Sequence, residues 1–73
     1  MNMHTKIKET RKLCKFTQKQ VAERLQIAER SYQSIEYGKS KPTIENLIKL
    51  ADYFDVSTDY LLGRTDNPNS HKL

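Results

Sequence analysis

Residues 17–42, TQKQVAERLQIAERSYQSIEYGKSKP, decide the architecture. The Thr17 hydroxyl can cap a first helical turn, Gln20 three residues on can return a bond to the Thr17 N–H, and Phe16 can pack on Val21 from the preceding position. The helix so begun buries Val21, Ala22 and Leu25 and ends near Gln26. A second helix starts after a link of only three residues, Gln26 to Ala28. At 100° per residue, Ala28, Ser31, Tyr32 and Ile35 share one side of it. Arg30, Gln33 and Tyr37 point the opposite way, with Glu29 and Ser34 at the flanks. Gly38 suits the left-handed residue that closes a helix, and Pro42 keeps the chain from resuming one through Lys39, Ser40 and Lys41.

Outward from this stretch the pattern stays helical. A segment from about His4 to Cys14 carries Ile7, Leu13 and Cys14, with Thr10 and Arg11 on the face of Ile7. Beyond Pro42, Thr43 caps a helix reaching Phe54. Its Ile44, Leu47, Ile48 and Ala51 follow the i, i+3, i+4, i+7 rule, and Leu50 and Phe54 widen the stripe. Ser57 caps a short fifth helix, with Val56 packing on Leu61 and Gly63 as its stop. No segment alternates with period two. The expectation is an all-α, compact five-helix domain over residues 1–63, followed by a polar, frayed tail over 64–73.

Length and composition narrow the function classes. A chain of 73 residues with 36% apolar residues at helical spacing folds as one domain near the lower size limit for an independent core. The lone Cys14 cannot form an internal disulfide and reads as a small apolar filler. His4 and His71 lack metal-ligand spacing and are expected to be exposed and idle, so no metal or cofactor is expected. No apolar run reaches membrane-spanning length and MNMHTKIKET lacks a signal-peptide core, which predicts a cytoplasmic protein. There is no glycine-rich phosphate loop and no nucleophile with its base, so no enzymatic activity is expected.

Charge is distributed unevenly. Residues 1–41 hold ten basic side chains against four acidic ones, net +6, whereas residues 42–66 carry net −3. The basic end is built to meet an anion, unless its charges only solvate helix surfaces. Two helices joined by so few residues cannot lie antiparallel and must cross steeply. That is a helix-turn-helix, whose second helix is lifted off the body and can enter the major groove of double-stranded DNA.

Residues 17–63 resemble the lambda-repressor-like helix-turn-helix domains of the Cro/CI and Xre type. The likeness rests on Thr17-Gln18, Val21-Ala22, the IEYGKSKP block at 35–42 and DVSTDYLLG at 55–63, in the family's order and spacing. It implies a five-helix domain that binds operator DNA as a symmetric dimer, encoded by bacteria or phages and acting at the nucleoid. Carried over by position, Gln18 corresponds to a phosphate contact, and Glu29, Arg30 and Ser34 fall where base-reading side chains sit. Arg11 and Glu36 correspond to a structural ion pair between the first and third helices. Lys15 and Gln26 stand where the family often has glycine, so either each takes up a left-handed conformation or the turn is shaped differently. Ala28 stands where a Ser or Thr cap is common, and Tyr32 replaces a smaller aliphatic, so its hydroxyl needs a partner.

The expected interface therefore comprises Thr17, Gln18, Glu29, Arg30, Gln33, Ser34, Tyr37, Lys39 and Lys41. Arg30 suits a bidentate contact to guanine, while Gln33, Ser34 and Glu29 could add adenine, mixed or cytosine contacts. Gln18, the backbone N–H groups beside it, Lys39 and Lys41 would hold phosphates. Tyr37 fits the rim. A homodimer is expected through YLLG at 60–63 with Tyr53 nearby, and no small-molecule pocket or inducer is evident. The competing expectation is an antitoxin-like or adaptor module whose C-terminal helices grip a protein partner.

Overall fold

The structure, a computed structural model, describes residues 2–69. Among them the elements are α1 (Met3–Leu13), α2 (Gln18–Leu25), α3 (Glu29–Glu36), α4 (Ile44–Phe54) and α5 (Thr58–Leu61), with no strand. Side-chain caps start four of the five. The Asn2 side chain accepts from the Thr5 N–H at 3.1 Å, which begins α1 one residue earlier than expected. At α2 the reciprocal box is closed, Gln20 N–H to Thr17 Oγ1 at 3.0 Å and Thr17 N–H to Gln20 Oε1 at 2.9 Å. Thr43 accepts from Asn46 N–H and Ser57 from Tyr60 N–H, both at 3.0 Å. Ala28 provides no such bond to α3.

Three turns close on residues that are not glycine. Lys15, Gln26 and Asp55 have φ of 63°, 60° and 60°, a left-handed conformation costing on the order of 1 kcal/mol for a side chain with a Cβ. Of the two alternatives left open for Lys15 and Gln26, the structure shows the left-handed conformation at both. Orphan carbonyls are recovered in return: Ile27 N–H donates to Ala22 O at 3.1 Å and Val56 N–H to Ala51 O at 2.9 Å.

One core joins all five helices: Ile7, Val21, Ala22, Leu25, Tyr32, Ile35, Leu50, Ala51, Phe54 and Leu61 are buried together. Phe16 and Cys14 pack against this cluster, and the Phe16 ring stacks on Tyr53 with centroids 4.3 Å apart. Burial raises the Cys14 thiol above its ordinary pKa, with the Asp55 charge adding to it.

Several apolar residues lie outside this core, contrary to expectation. Leu13 is 76% exposed and Ile44 79% exposed, and Ile48 is about half exposed. Leu13 ends α1 and points away from the Ile7 side that faces α3 and α5. In α4, packing against α2 and α5 selects the stripe Leu47, Leu50, Ala51 and Phe54, which leaves Ile44 and Ile48 at its edge. On α3 the buried side is Tyr32, Ile35 and Glu36, whereas Ala28 and Ser31 are exposed.

Two other expectations change. His4 is half-buried, and its imidazole lies where a side chain at Gly38 would sit, 2.8 Å from the site of a Cβ. His71 lies outside the described residues. The chain beyond α5 folds back as far as it is described, with Ser57 N–H donating to Pro68 O at 2.7 Å. The YLLG segment is divided among three roles: Leu61 is core, Leu62 is exposed, and Tyr60 is half-buried beneath the Lys6 ammonium, 4.4 Å from its ring centre. Tyr53 is occupied by its stack on Phe16.

Candidate nucleic-acid interface

The side of the molecule where α2 begins and α3 turns outward is anchored from beneath by one carboxylate. The Glu36 side chain is wholly inaccessible and that of Arg11 nearly so. Arg11 Nε donates to Glu36 Oε2 at 2.6 Å and Nη2 to Oε1 at 3.2 Å, the forked geometry that suits guanidinium and carboxylate. Arg11 Nη1 donates to Phe16 O at 2.9 Å, tying the α1–α2 turn to the same group. Tyr32 OH donates to Glu36 Oε2, which answers the need for a hydroxyl partner. Gln18 Nε2 donates to Oε1 at 3.0 Å.

These bonds decide the charge state. Burial opposes ionisation of Glu36, yet the hydrogen bonds from Arg11, Tyr32 and Gln18 outweigh it and hold the carboxyl below its ordinary pKa. Burial, then the bond to Glu36, pushes the Tyr32 phenol well above its usual range. The same carboxylate raises Arg11. The expected ion pair between α1 and α3 is present as a four-residue knot in which no buried side-chain polar atom lacks a partner among the described residues.

Above the knot lie the interface candidates. Thr17 is committed to the cap of α2. Gln18 sits at the first position of α2, where the leading backbone N–H groups have no intrahelical acceptor. Gln33 Nε2 donates to Gln18 Oε1 at 3.2 Å, so α2 and α3 are joined side chain to side chain. Glu29 and Arg30 are exposed in the first turn of α3. Ser34 is part-buried, and its hydroxyl donates to Arg30 O at 3.2 Å, leaving lone pairs as its outward offer. Tyr37, at the C-cap of α3, is exposed.

Beyond α3 the loop is held close. Lys39 N–H donates to Ser34 O at 2.9 Å and Ser40 N–H to the same oxygen at 3.3 Å, which fixes the backbone carrying Lys39. Lys39 and Lys41 are exposed. Neither they nor Arg30 make an ion pair among the described residues, whereas Arg11, Lys49 and Arg64 do. The surface therefore offers three cations without an ion pair and, at the capped start of α2, the N–H groups of Gln18 and Lys19 ahead of the capped Gln20, with amide and hydroxyl groups between them. That set can bind phosphates and meet base edges.

Sequence reasoning missed two elements here. The bridge from Gln18 to both Glu36 and Gln33 had no local signal, since the three residues are spread over eighteen positions. The seating of His4 on Gly38 was likewise hidden, although a helix-closing glycine is a place where a neighbouring side chain can approach closely. Among the described residues, no helix is long and apolar enough to cross a membrane.

Comparison with known proteins gives a consistent picture. Residues 7–61 match a family described as helix-turn-helix. The chain is 42% identical over 64 residues to an uncharacterised HTH-type transcriptional regulator of Bacillus subtilis, YobD, covering 88% of this chain and 57% of that protein. It is 36% identical over 66 residues to the HTH-type transcriptional regulator ImmR of the same organism, covering 90% of this chain and 52% of ImmR. Over 73 residues it is 36% identical to the cryptic phage CTXphi transcriptional repressor RstR of Vibrio cholerae, covering 100% of this chain and 65% of RstR. A crystal structure of a transcriptional regulator from Listeria innocua superposes with a TM-score of 0.80 at 34% identity, covering 85% of this chain and 58% of that one. The chain thus spans between about half and two thirds of the length of the relatives it matches.

Proposed function

The chain belongs to the helix-turn-helix family of the Xre and Cro/CI type, and on that footing we propose that it is a sequence-specific double-stranded DNA-binding transcriptional regulator. It acts as a repressor on a palindromic operator, as a homodimer, in the cytoplasm of a bacterium and at its nucleoid. The domain occupies residues 1–63, with the polar segment 64–73 appended. The carrying observation is the run of uncommitted cations, Arg30, Lys39 and Lys41, on and just beyond a helix whose outer side is polar. Two such helices about 34 Å apart would meet successive major grooves on one side of B-form DNA.

In this reading α3 enters the groove. Arg30 reads guanine through its two parallel donors, and Glu29, Gln33 and Ser34 meet neighbouring base edges. Gln18 with the first N–H groups of α2 holds one phosphate, and Lys39 and Lys41 hold others, which sets register. Thr17 contributes by shaping the α2 N-terminus, and Tyr37 lies at the rim. The exposed Ile44, Ile48 and Leu62 offer apolar area on the C-terminal helices for a second copy.

The test is a titration against duplex DNA over a range of salt concentrations. Phosphate contacts release counterions, so the logarithm of the binding constant should fall steeply and linearly with the logarithm of salt. No retention on DNA at low ionic strength would overturn the reading. The same apolar residues would then favour the second reading, an antitoxin-like or adaptor module that grips a protein through α4 and α5.

A further inference from the structure

We infer that Glu36 is a positioning residue for recognition: it fixes which way round the amides of Gln18 and Gln33 face, so that Gln33 presents a carbonyl oxygen beside one N–H, the pattern that reads adenine. This inference rests on the DNA-binding reading above and adds to it a specificity mechanism.

Hydrogen-bond chemistry supplies the chain of reasons. An ionised carboxylate can only accept, whereas a glutamine amide has one end that donates and one that accepts. Glu36 is buried and receives four donors: Nε and Nη2 of Arg11, the Tyr32 hydroxyl and Gln18 Nε2. Gln18 must therefore turn its NH2 inward. Rotated by half a turn, it would set its own oxygen against a carboxylate oxygen, two acceptors face to face with no proton between them.

The constraint is passed on. With its NH2 turned to Glu36, Gln18 has its Oε1 free to accept, and Gln33 Nε2 donates to it at 3.2 Å. Gln33 is thereby oriented in turn, with its NH2 toward α2 and its oxygen away. Counting protons, Gln18 retains one unshared N–H beside the leading backbone N–H groups of α2, which suits a phosphate oxygen. Gln33 retains one unshared N–H and its oxygen. In the major groove adenine offers a donor at N6 and an acceptor at N7, which this pair matches; guanine offers two acceptors, which it does not. An exposed glutamine without such a tether would rotate freely and offer either polarity.

Site profiling by selection from a pool of random duplexes, followed by binding titrations on the selected site and its point variants, tests the inference. Wild type should prefer adenine at one base pair by about tenfold or more. Gln33→Ala should flatten that preference. Gln18→Ala, at the half-buried first position of α2 and used once a thermal melt shows it folded, should lower affinity for all sequences through its phosphate contact and also flatten the preference at the Gln33 base pair alone. Glu36→Gln, used once a thermal melt shows it folded, should do the same, since a neutral amide can donate as well as accept. A Gln18→Ala protein that binds more weakly but keeps the same ratio among the four bases at that pair would overturn the inference and leave the DNA reading standing. A wild type without preference at any position would overturn both.

Discussion

Gln26 and Asp55 adopt the same left-handed backbone conformation, φ 60° and ψ 40° in one, φ 60° and ψ 45° in the other. Each is followed by an apolar residue, Ile27 or Val56, whose N–H returns to a carbonyl of the preceding helix, and then by an extended cap residue, Ala28 or Ser57. The same turn is thus built twice, once between α2 and α3 and again between α4 and α5. Glycine at either position would remove the Cβ strain, so Gln26→Gly and Asp55→Gly should each stabilise the fold by up to about 1 kcal/mol. Chemical denaturation measures this, and a loss of stability in both variants would show that the side chains compensate for the conformation.

The two turns differ at the cap. Ser57 accepts from Tyr60 N–H, but Ala28 cannot do so for α3. Ala28→Ser should therefore add about 1 kcal/mol. Unchanged denaturation midpoints would mean that the first turn of α3 already satisfies its N–H groups with solvent.

Removing the cation from the buried knot should be severe. Arg11→Met leaves Glu36 with a buried charge held only by Tyr32 and Gln18, and a broken buried pair costs about 3–5 kcal/mol. That is a large fraction of the stability expected of a chain this size. Circular dichroism at 25 °C should show a partly unfolded population, and a cost below about 1 kcal/mol would contradict the burial of Glu36.

Acid should act through the same carboxylate. The Glu36 pKa is lowered in the folded protein, so its contribution is full above the unfolded value, about 4.3, and is lost as pH falls through the folded value. Melting temperature should decline on the acid side of about pH 4, and the difference between wild type and a folded Glu36→Gln variant should shrink over that window. A difference that stays constant down to pH 2 would exclude Glu36 as the linked group.

On DNA, base and phosphate contacts should separate. Arg30→Ala should cost about 1–3 kcal/mol at one base pair and relax the preference there. Lys39→Ala should weaken all sequences alike and reduce the salt slope by about one. Titrations on a set of point-altered sites distinguish the two, and an Arg30→Ala effect spread evenly over the site would reassign that residue to the backbone.

Local chemistry was legible in the sequence and tertiary choice was not. Thr17, Thr43 and Ser57 could be read as caps because a hydroxyl and an N–H three residues on meet within a single turn. Gly38 announced the end of α3 because a residue without a Cβ takes the left-handed conformation, here φ 79°, at little cost. By contrast, Ile44 and Ile48 satisfied helical spacing yet lie largely outside, because α4 is apolar over more of its circumference than α2 and α5 cover. The pairing of Arg11 with Glu36 came from the family resemblance. Its extension to Tyr32, Gln18 and Gln33 needed three helices brought together, which no window along the chain contains.

The bond from Ser57 N–H to Pro68 O reaches further than its 2.7 Å suggests. Ser57 is buried just before a helix of only four residues, so its amide proton is shielded by a strand of backbone that contributes nothing to the core. In deuterated solvent that proton should be replaced slowly in the intact chain. After truncation at Gly63 it should wash out early, making the short last helix the first part of the domain to breathe.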